Sequence, residues 1–254
     1  LLDINKVQKL LKQSPKGTFK GIIVVDFAGR AANLENFRKL ANEYGLWIIE
    51  DSCHAPGGFF IDSKGVKQHC GNGNFADLSI FSFHPVKHIA TGEGGMITTN
   101  RKDLYDKLLA LRTHGIIKKE SDFLNSKSFA FGNNQHSSDY PGWYMEMQTL
   151  GFNYRLNDFQ SALGISQLSR AKDGILKRNI IALNYFNAFK DELFIKGQSG
   201  YLEGHAYHLY VIEIEKRLEL YSFLKDNNIF AQIHYIPCHL MPYYKSQGWK
   251  EGDF

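Results

Sequence analysis

Residues 21–51 read GIIVVDFAGRAANLENFRKLANEYGLWIIED, and this stretch decides the fold. Gly21 to Asp26 is a short apolar run rich in β-branched residues, the composition of a buried strand. In the segment behind it, Leu34, Phe37, Leu40, Ala41 and Tyr44 fall at helical spacing. Asn33 is placed to cap that helix and Gly45 to end it. Leu46 to Asp51 is a second apolar run, so the stretch predicts a βαβ unit with parallel strands covered on both faces. Each strand ends in an acid. In open α/β sheets ligands gather beyond the carboxyl ends of the strands, so Asp26 and Asp51 are expected in a site rather than in the core.

Working outward, LSIFSF from Leu78 predicts a third strand and GMITTN from Gly95 a fourth, with a helix over Lys102–Arg112. Residues 116–142 are polar and weakly periodic, the mark of a long excursion. Two helical patterns follow, Asn157–Ala171 and Ile175–Phe189. The segments HAYHLYVIEI and IFAQIHYIP flank a helix near Leu218–Asn227 and read as strand, helix, strand. The expected organisation is a larger α/β domain over residues 1–173 and a smaller one over residues 174–254.

Composition excludes several classes. A chain of 254 residues with 43% hydrophobic content buries a substantial core. The net charge of +4 is spread along the chain rather than gathered into an arm, so nucleic acid is not an expected partner. Cys53, Cys70 and Cys238 lack both disulfide-framework and metal-ligand spacing, so no metal is expected and a reducing cytoplasm fits. No apolar run approaches the length of a membrane span. The chain starts at Leu1 and stops soon after a strand-like segment, which reads as a fragment.

The chemistry is concentrated in two places. In EDSCHA, Asp51 closes an apolar strand, where a carboxylate needs a cation or a donor to meet it; capping a nearby turn is the plain alternative. In SIFSFHPVKHIATGEGG, Ser82 precedes Lys87 by five residues and Pro85 forces an irregular turn between them. GEGG allows close backbone approach but matches neither a P-loop nor a dinucleotide fingerprint. Serine, lysine and a distal aspartate are the set that a phosphorylated pyridine aldehyde requires: lysine for the Schiff base, aspartate for the ring nitrogen, serine for phosphate.

Together, EDSCHA, SFHPVKHIATGEGG and GFNYRLNDFQSALGISQL resemble the DegT/DnrJ/EryC1 family of sugar aminotransferases over nearly the whole chain. Within that family, GWYMEMQTLGFNYRLNDFQ is most similar to the pseudaminic-acid branch. The resemblance implies the type I aminotransferase fold and pyridoxal 5'-phosphate, passing through pyridoxamine 5'-phosphate. It implies transfer of an amino group, from glutamate, to a UDP-linked 4-keto-6-deoxy-N-acetyl sugar for a surface glycan.

By position, the resemblance makes Lys87 the Schiff-base lysine and Asp51 the partner of the pyridine nitrogen. His54 falls near the phenolic oxygen and Ser82 on the phosphate. Asn153 would reach the phosphate from a neighbouring subunit, so a homodimer with shared sites is implied. His234 and Tyr235 would lie at the substrate end, with packing an equal alternative. The family's amino-terminal Gly-Thr phosphate turn and ring-covering aromatic have no counterpart here, since Gly17-Thr18 sits in the wrong context. The resemblance therefore implies a chain truncated at both ends. Two alternatives stand beside this reading: a non-catalytic or regulatory homologue, and a sugar dehydratase of the related branch, in which a histidine replaces the lysine found here as Lys87.

Overall fold

The structure is a computed structural model describing residues 1–132, 138–192, 195 and 202–253. Two compact units form, one of Leu1–Lys190 with Gly200–Val211, the other of Asp191–Ser199 with Ile212–Phe254.

The first unit opens with α1 (Ile4–Gln13), started by Asp3, whose carboxylate accepts from the Asn5 and Lys6 amides. It continues through β1 (Gly21–Val25), α2 (Leu34–Tyr44) and β2 (Trp47–Asp51). Asn33 Oδ1 accepts from the Asn36 amide, and Gly45 ends α2 at φ 68°, the left-handed conformation glycine adopts without strain. A hairpin follows, β3 (Phe59–Ile61) with β4 (Lys67–His69), and then β5 (Leu78–Ser82), β6 (Gly95–Thr98) and α3 (Lys102–Arg112). Beyond these come β7 (Ile116–Ile117), α4 (Lys127–Ala130), β8 (Glu146–Met147), α5 (Asp158–Ser169) and α6 (Ala171–Phe189). The domain boundary expected at 173/174 falls inside α6.

The main sheet has the order β1-β2-β5-β6, parallel across the first three strands and antiparallel between β5 and β6. The expected βαβ unit is present, with Val25 opposite Asp51 and Asp51 opposite Ile80. Its core is one-sided. Ile22, Val24 and Ile48 pack with Leu34, Phe37, Leu40 and Leu11 from the two helices, whereas Ile23 on the other face is 56% exposed. The expectation of cover on both faces is therefore corrected: among the described residues helices pack on one face.

The second unit carries α7 (Arg217–Asp226) and α8 (Pro242–Lys245). HAYHLYVIEI and IFAQIHYIP, read as strands, form no named strand among the described residues. Their β-branched and aromatic content favours extension, but a strand also needs a neighbour to pair its backbone groups. Among the described residues no helix is long and apolar enough to cross a membrane.

Candidate active site

Asp51 and Ser82 are the last residues of β2 and β5, adjacent strands of the sheet. Asp51 is half-buried, and its Oδ1 accepts from the Cys53 amide at 3.0 Å, fixing the carboxylate at the strand end. Ser82 Oγ accepts from the His84 amide at 3.3 Å, which leaves its own proton for another acceptor.

Lys87 rides on a loop closed at its base. The Phe83 amide donates to Gly94 O and the Thr91 amide to Phe83 O, at 2.8 and 2.9 Å. Thr91, buried, donates its hydroxyl to Glu93 O, and Gln160 of α5 donates to the same oxygen. Gly94 sits at φ 153°, and a Cβ there would lie 2.6 Å from Thr91 Oγ1 and 2.8 Å from Leu156 Cδ2. The glycines thus serve a tight loop base, and the seven-residue arc above it presents Lys87, half-buried.

Asp51 and Lys87 both act electrostatically on the thiol of Cys53. Burial pushes the Cys53 thiol up to about 12; its hydrogen bond to Asp51 and the Asp51 charge push it the same way, while the Lys87 charge opposes them. One thiol thus senses the acid at the end of β2 and an amine on the loop that follows β5. His54 lies beside them: its Nδ1 accepts from the Ala28 amide at 3.3 Å, which leaves the proton on Nε2.

Sequence reasoning missed His88 and His208. The His208 ring lies 4.4 Å from that of His54 and 5.3 Å from that of His88. Burial and then the Arg178 charge lower His88 to about 4, and burial and then the neighbouring His54 and His88 lower His208 to about 3, so both are neutral at pH 7. His88 had a visible signal in its place next to Lys87, whereas His208 is joined to the site only by the fold.

Asp26 corrects an expectation. It is fully buried, its Oδ1 accepting from the Ala32 amide at 2.8 Å and its Oδ2 from Ser52 Oγ at 3.0 Å. Burial and then the charge of Glu50 raise it to about 7. Buried Glu50 accepts from Ser79 Oγ at 2.5 Å and from the Gly71 amide at 2.9 Å. Both acids are therefore buried in the interior rather than open to a site.

Asn153 is exposed, on a segment bridged to Thr113 at the end of α3. His234 and Tyr235 belong to the second unit, His234 half-buried and Tyr235 exposed.

Lys87 with Asp51 suits the two ends of a pyridoxal ring, and His54 and Ser82 are proton donors suited to its oxygens. Comparison with known proteins gives the family. The chain is 34% identical over 244 residues to the spore coat polysaccharide biosynthesis protein SpsC of Bacillus subtilis, covering 92% of this chain and 58% of that protein. It is 34% identical over 251 residues to the UDP-4-amino-4,6-dideoxy-N-acetyl-beta-L-altrosamine transaminase of Campylobacter jejuni, covering 96% and 59%. The solved structure of Helicobacter pylori PseC, an aminotransferase involved in the biosynthesis of pseudoaminic acid, superposes with a TM-score of 0.75 at 32% identity, covering 94% of this chain and 58% of that one. The chain thus spans less than two thirds of each of these relatives. With residues 1–254 matching its family model, it belongs to the DegT/DnrJ/EryC1/StrS aminotransferase family and has the type I aminotransferase fold.

Proposed function

We propose that the chain carries the reacting lysine of a pyridoxal phosphate-dependent nucleotide-sugar aminotransferase. Its substrates are glutamate as amino donor and a UDP-linked 4-keto-6-deoxy-N-acetyl sugar as acceptor. The observation that carries this reading is that Asp51, at the end of β2, and Lys87, on the loop after the adjacent strand β5, both act on the Cys53 thiol. The sugar class rests on the relatives, two of which bear names from amino-sugar biosynthesis.

When bound, pyridoxal phosphate supplies an electron-accepting ring that spreads the charge left on a substrate carbon after proton removal. In this reading Asp51 keeps the proton on the ring nitrogen, its orientation held by the Cys53 amide. Lys87 Nζ takes the proton from the donor's Cα and returns one on the other side of the transfer. His54 donates its Nε2 proton to the ring oxygen, and Ser82 Oγ donates to a phosphate oxygen. Asn153, exposed, serves the site of a second copy in a homodimer, and the family resemblance gives His234 and Tyr235 a substrate-binding role.

The test is chemical trapping. Incubation with pyridoxal phosphate and then borohydride is expected to place a reduced adduct on the peptide containing Lys87, and Lys87→Ala is expected to lose it. An adduct of equal yield in folded Lys87→Ala, or one mapping to other lysines, would overturn the assignment.

A further inference from the structure

The segment 202–209 is braced at every step. The Leu202 amide donates to Tyr207 Oη at 2.9 Å, and the Tyr207 amide to His205 Nδ1 at 2.8 Å. The rings of His205 and Tyr207 stack at 3.9 Å, and both residues are buried. Arg178 of α6 reaches across, its Nη1 donating to Tyr207 O at 3.1 Å and His208 O at 3.3 Å. The Ala206 amide donates to Gly29 O and the Leu209 amide to Ala28 O. Ala28 therefore holds both sides: its carbonyl anchors the strap next to His208, and its amide holds His54 Nδ1. Packing leaves no slack, since a Cβ on Gly29 would lie 2.9 Å from His54 O and from the Tyr207 and His208 amides.

This strap places the His208 ring against His54, with its planes tilted by 32°, and edge-on to His88, the residue after Lys87. His208 Nδ1 is buried with no hydrogen-bond partner. A ring whose buried nitrogen meets no partner acts through its face, by packing and quadrupole contact, rather than through a hydrogen bond.

We propose that His208 is a positioning residue: its ring face fixes the plane of His54 and joins it, through His88, to the loop that presents Lys87. Its relevance to catalysis rests on the roles given to His54 and Lys87 under Proposed function, but the contact itself is independent of them. His208 and His88 are both neutral at pH 7, so no charge opposes their edge-on contact. A plane fixed in advance spares the site the cost of ordering His54 when a ligand arrives.

The test reads His54 directly. Nitrogen-15 NMR of the histidine rings is expected to show His54 as a single Nε2–H tautomer in the unmodified chain. His208→Phe keeps a ring face and is expected to preserve that signature. His208→Ala and His208→Gln lack the ring and are expected to give mixed tautomers, with pyridoxal phosphate captured about tenfold more weakly, the equivalent of about 1.4 kcal/mol of lost preorganisation. Should His208→Ala not fold, the Phe and Gln pair decides. An unchanged His54 signature in folded His208→Gln, an equal disturbance in His208→Phe, or an Nδ1–H tautomer in the unmodified chain would each overturn the proposal. Absence of pyridoxal capture with the NMR pattern intact would overturn the cofactor reading and leave the positioning role standing.

Discussion

Cys53 donates its backbone N–H to Asp51 Oδ1 at 3.0 Å, and its thiol is the point at which the opposite charges of Asp51 and Lys87 compete. Cys53 is therefore a probe of the site that needs no cofactor. With the thiol pushed up to about 12, alkylation at pH 8.5 is expected to be slow. Asp51→Asn removes a neighbouring negative charge and is expected to speed alkylation of Cys53 on the order of tenfold, the effect of one pKa unit. Lys87→Ala removes the opposing positive charge and is expected to slow it. Peptide-resolved mass spectrometry reads each site, with exposed Cys238 as the reference in the same sample. Equal Cys53 rates in all three proteins would remove Asp51 and Lys87 from one site.

Asp26 makes stability depend on pH in an unusual direction. A carboxyl whose folded value of about 7 lies above its ordinary 3.8 holds its proton more tightly in the folded state. Its contribution is fully present below about pH 4 and is lost as pH rises toward 7. In Asp26→Asn the Ala32 amide keeps an acceptor and the ionisation is gone. The variant is therefore expected to gain on the unmodified chain between pH 5 and 7, by at most about 1.4 kcal/mol per pH unit. Urea unfolding at each pH measures the difference, and parallel curves for the two proteins would refute it.

The legible parts of this protein are those whose causes are local. The span from β1 to β2 is written in helical spacing, an Asn33 cap and a Gly45 stop, and the Lys87 loop in Pro85 and GEGG. Helix α1 was also legible in principle, since Asp3 caps it and Ile4, Val7 and Leu11 share a face, but its polar content hid it. The β3–β4 hairpin has only three residues per strand and depends on Asp62 accepting from the Lys64 and Val66 amides, a turn too short to announce itself by periodicity. Asp26 and Asp51 look alike in sequence, each ending an apolar strand. Three-dimensional neighbours separate them: Ser52 and Glu50 surround Asp26, whereas Asp51 meets Cys53 and Lys87. His208 is 154 positions from His54, a separation that no local pattern spans.

Three histidines, His205 buried and His88 and His208 half-buried, make the fold sensitive to acid. Burial lowers His88 and His205 to about 4 and His208 to about 3, against an ordinary 6.5. A base whose folded value is depressed contributes stability that is complete above pH 6.5 and is lost as pH falls toward 4. For His205 the cause is also geometric, because protonating Nδ1 ends its acceptance of the Tyr207 amide. His205→Gln offers that amide an oxygen without a charge to gain. It is expected to shallow the decline in urea-unfolding free energy between pH 6.5 and 4.5, while stability at pH 7.5 changes little. An unaltered slope would show that His205 does not titrate with unfolding in this range.

Ser79 and Glu50 pair across β5 and β2 inside the sheet, where neither side chain reaches water. Ser79→Ala leaves Glu50 Oε2 with the Gly71 amide as its remaining donor. Loss of one hydrogen bond to a buried acid is expected to cost about 1–3 kcal/mol in urea unfolding at pH 7. A packing defect alone would give a similar figure, so the pair needs a cycle. If the bond carries the cost, Ser79→Ala and Glu50→Gln together are expected to destabilise by less than the sum of the single changes, with a coupling of about 1 kcal/mol. Strict additivity would assign the loss to the missing hydroxyl volume. A coupling would show that the strand end bearing Asp51 is held to the strand end bearing Ser82 by a buried polar contact beneath the site.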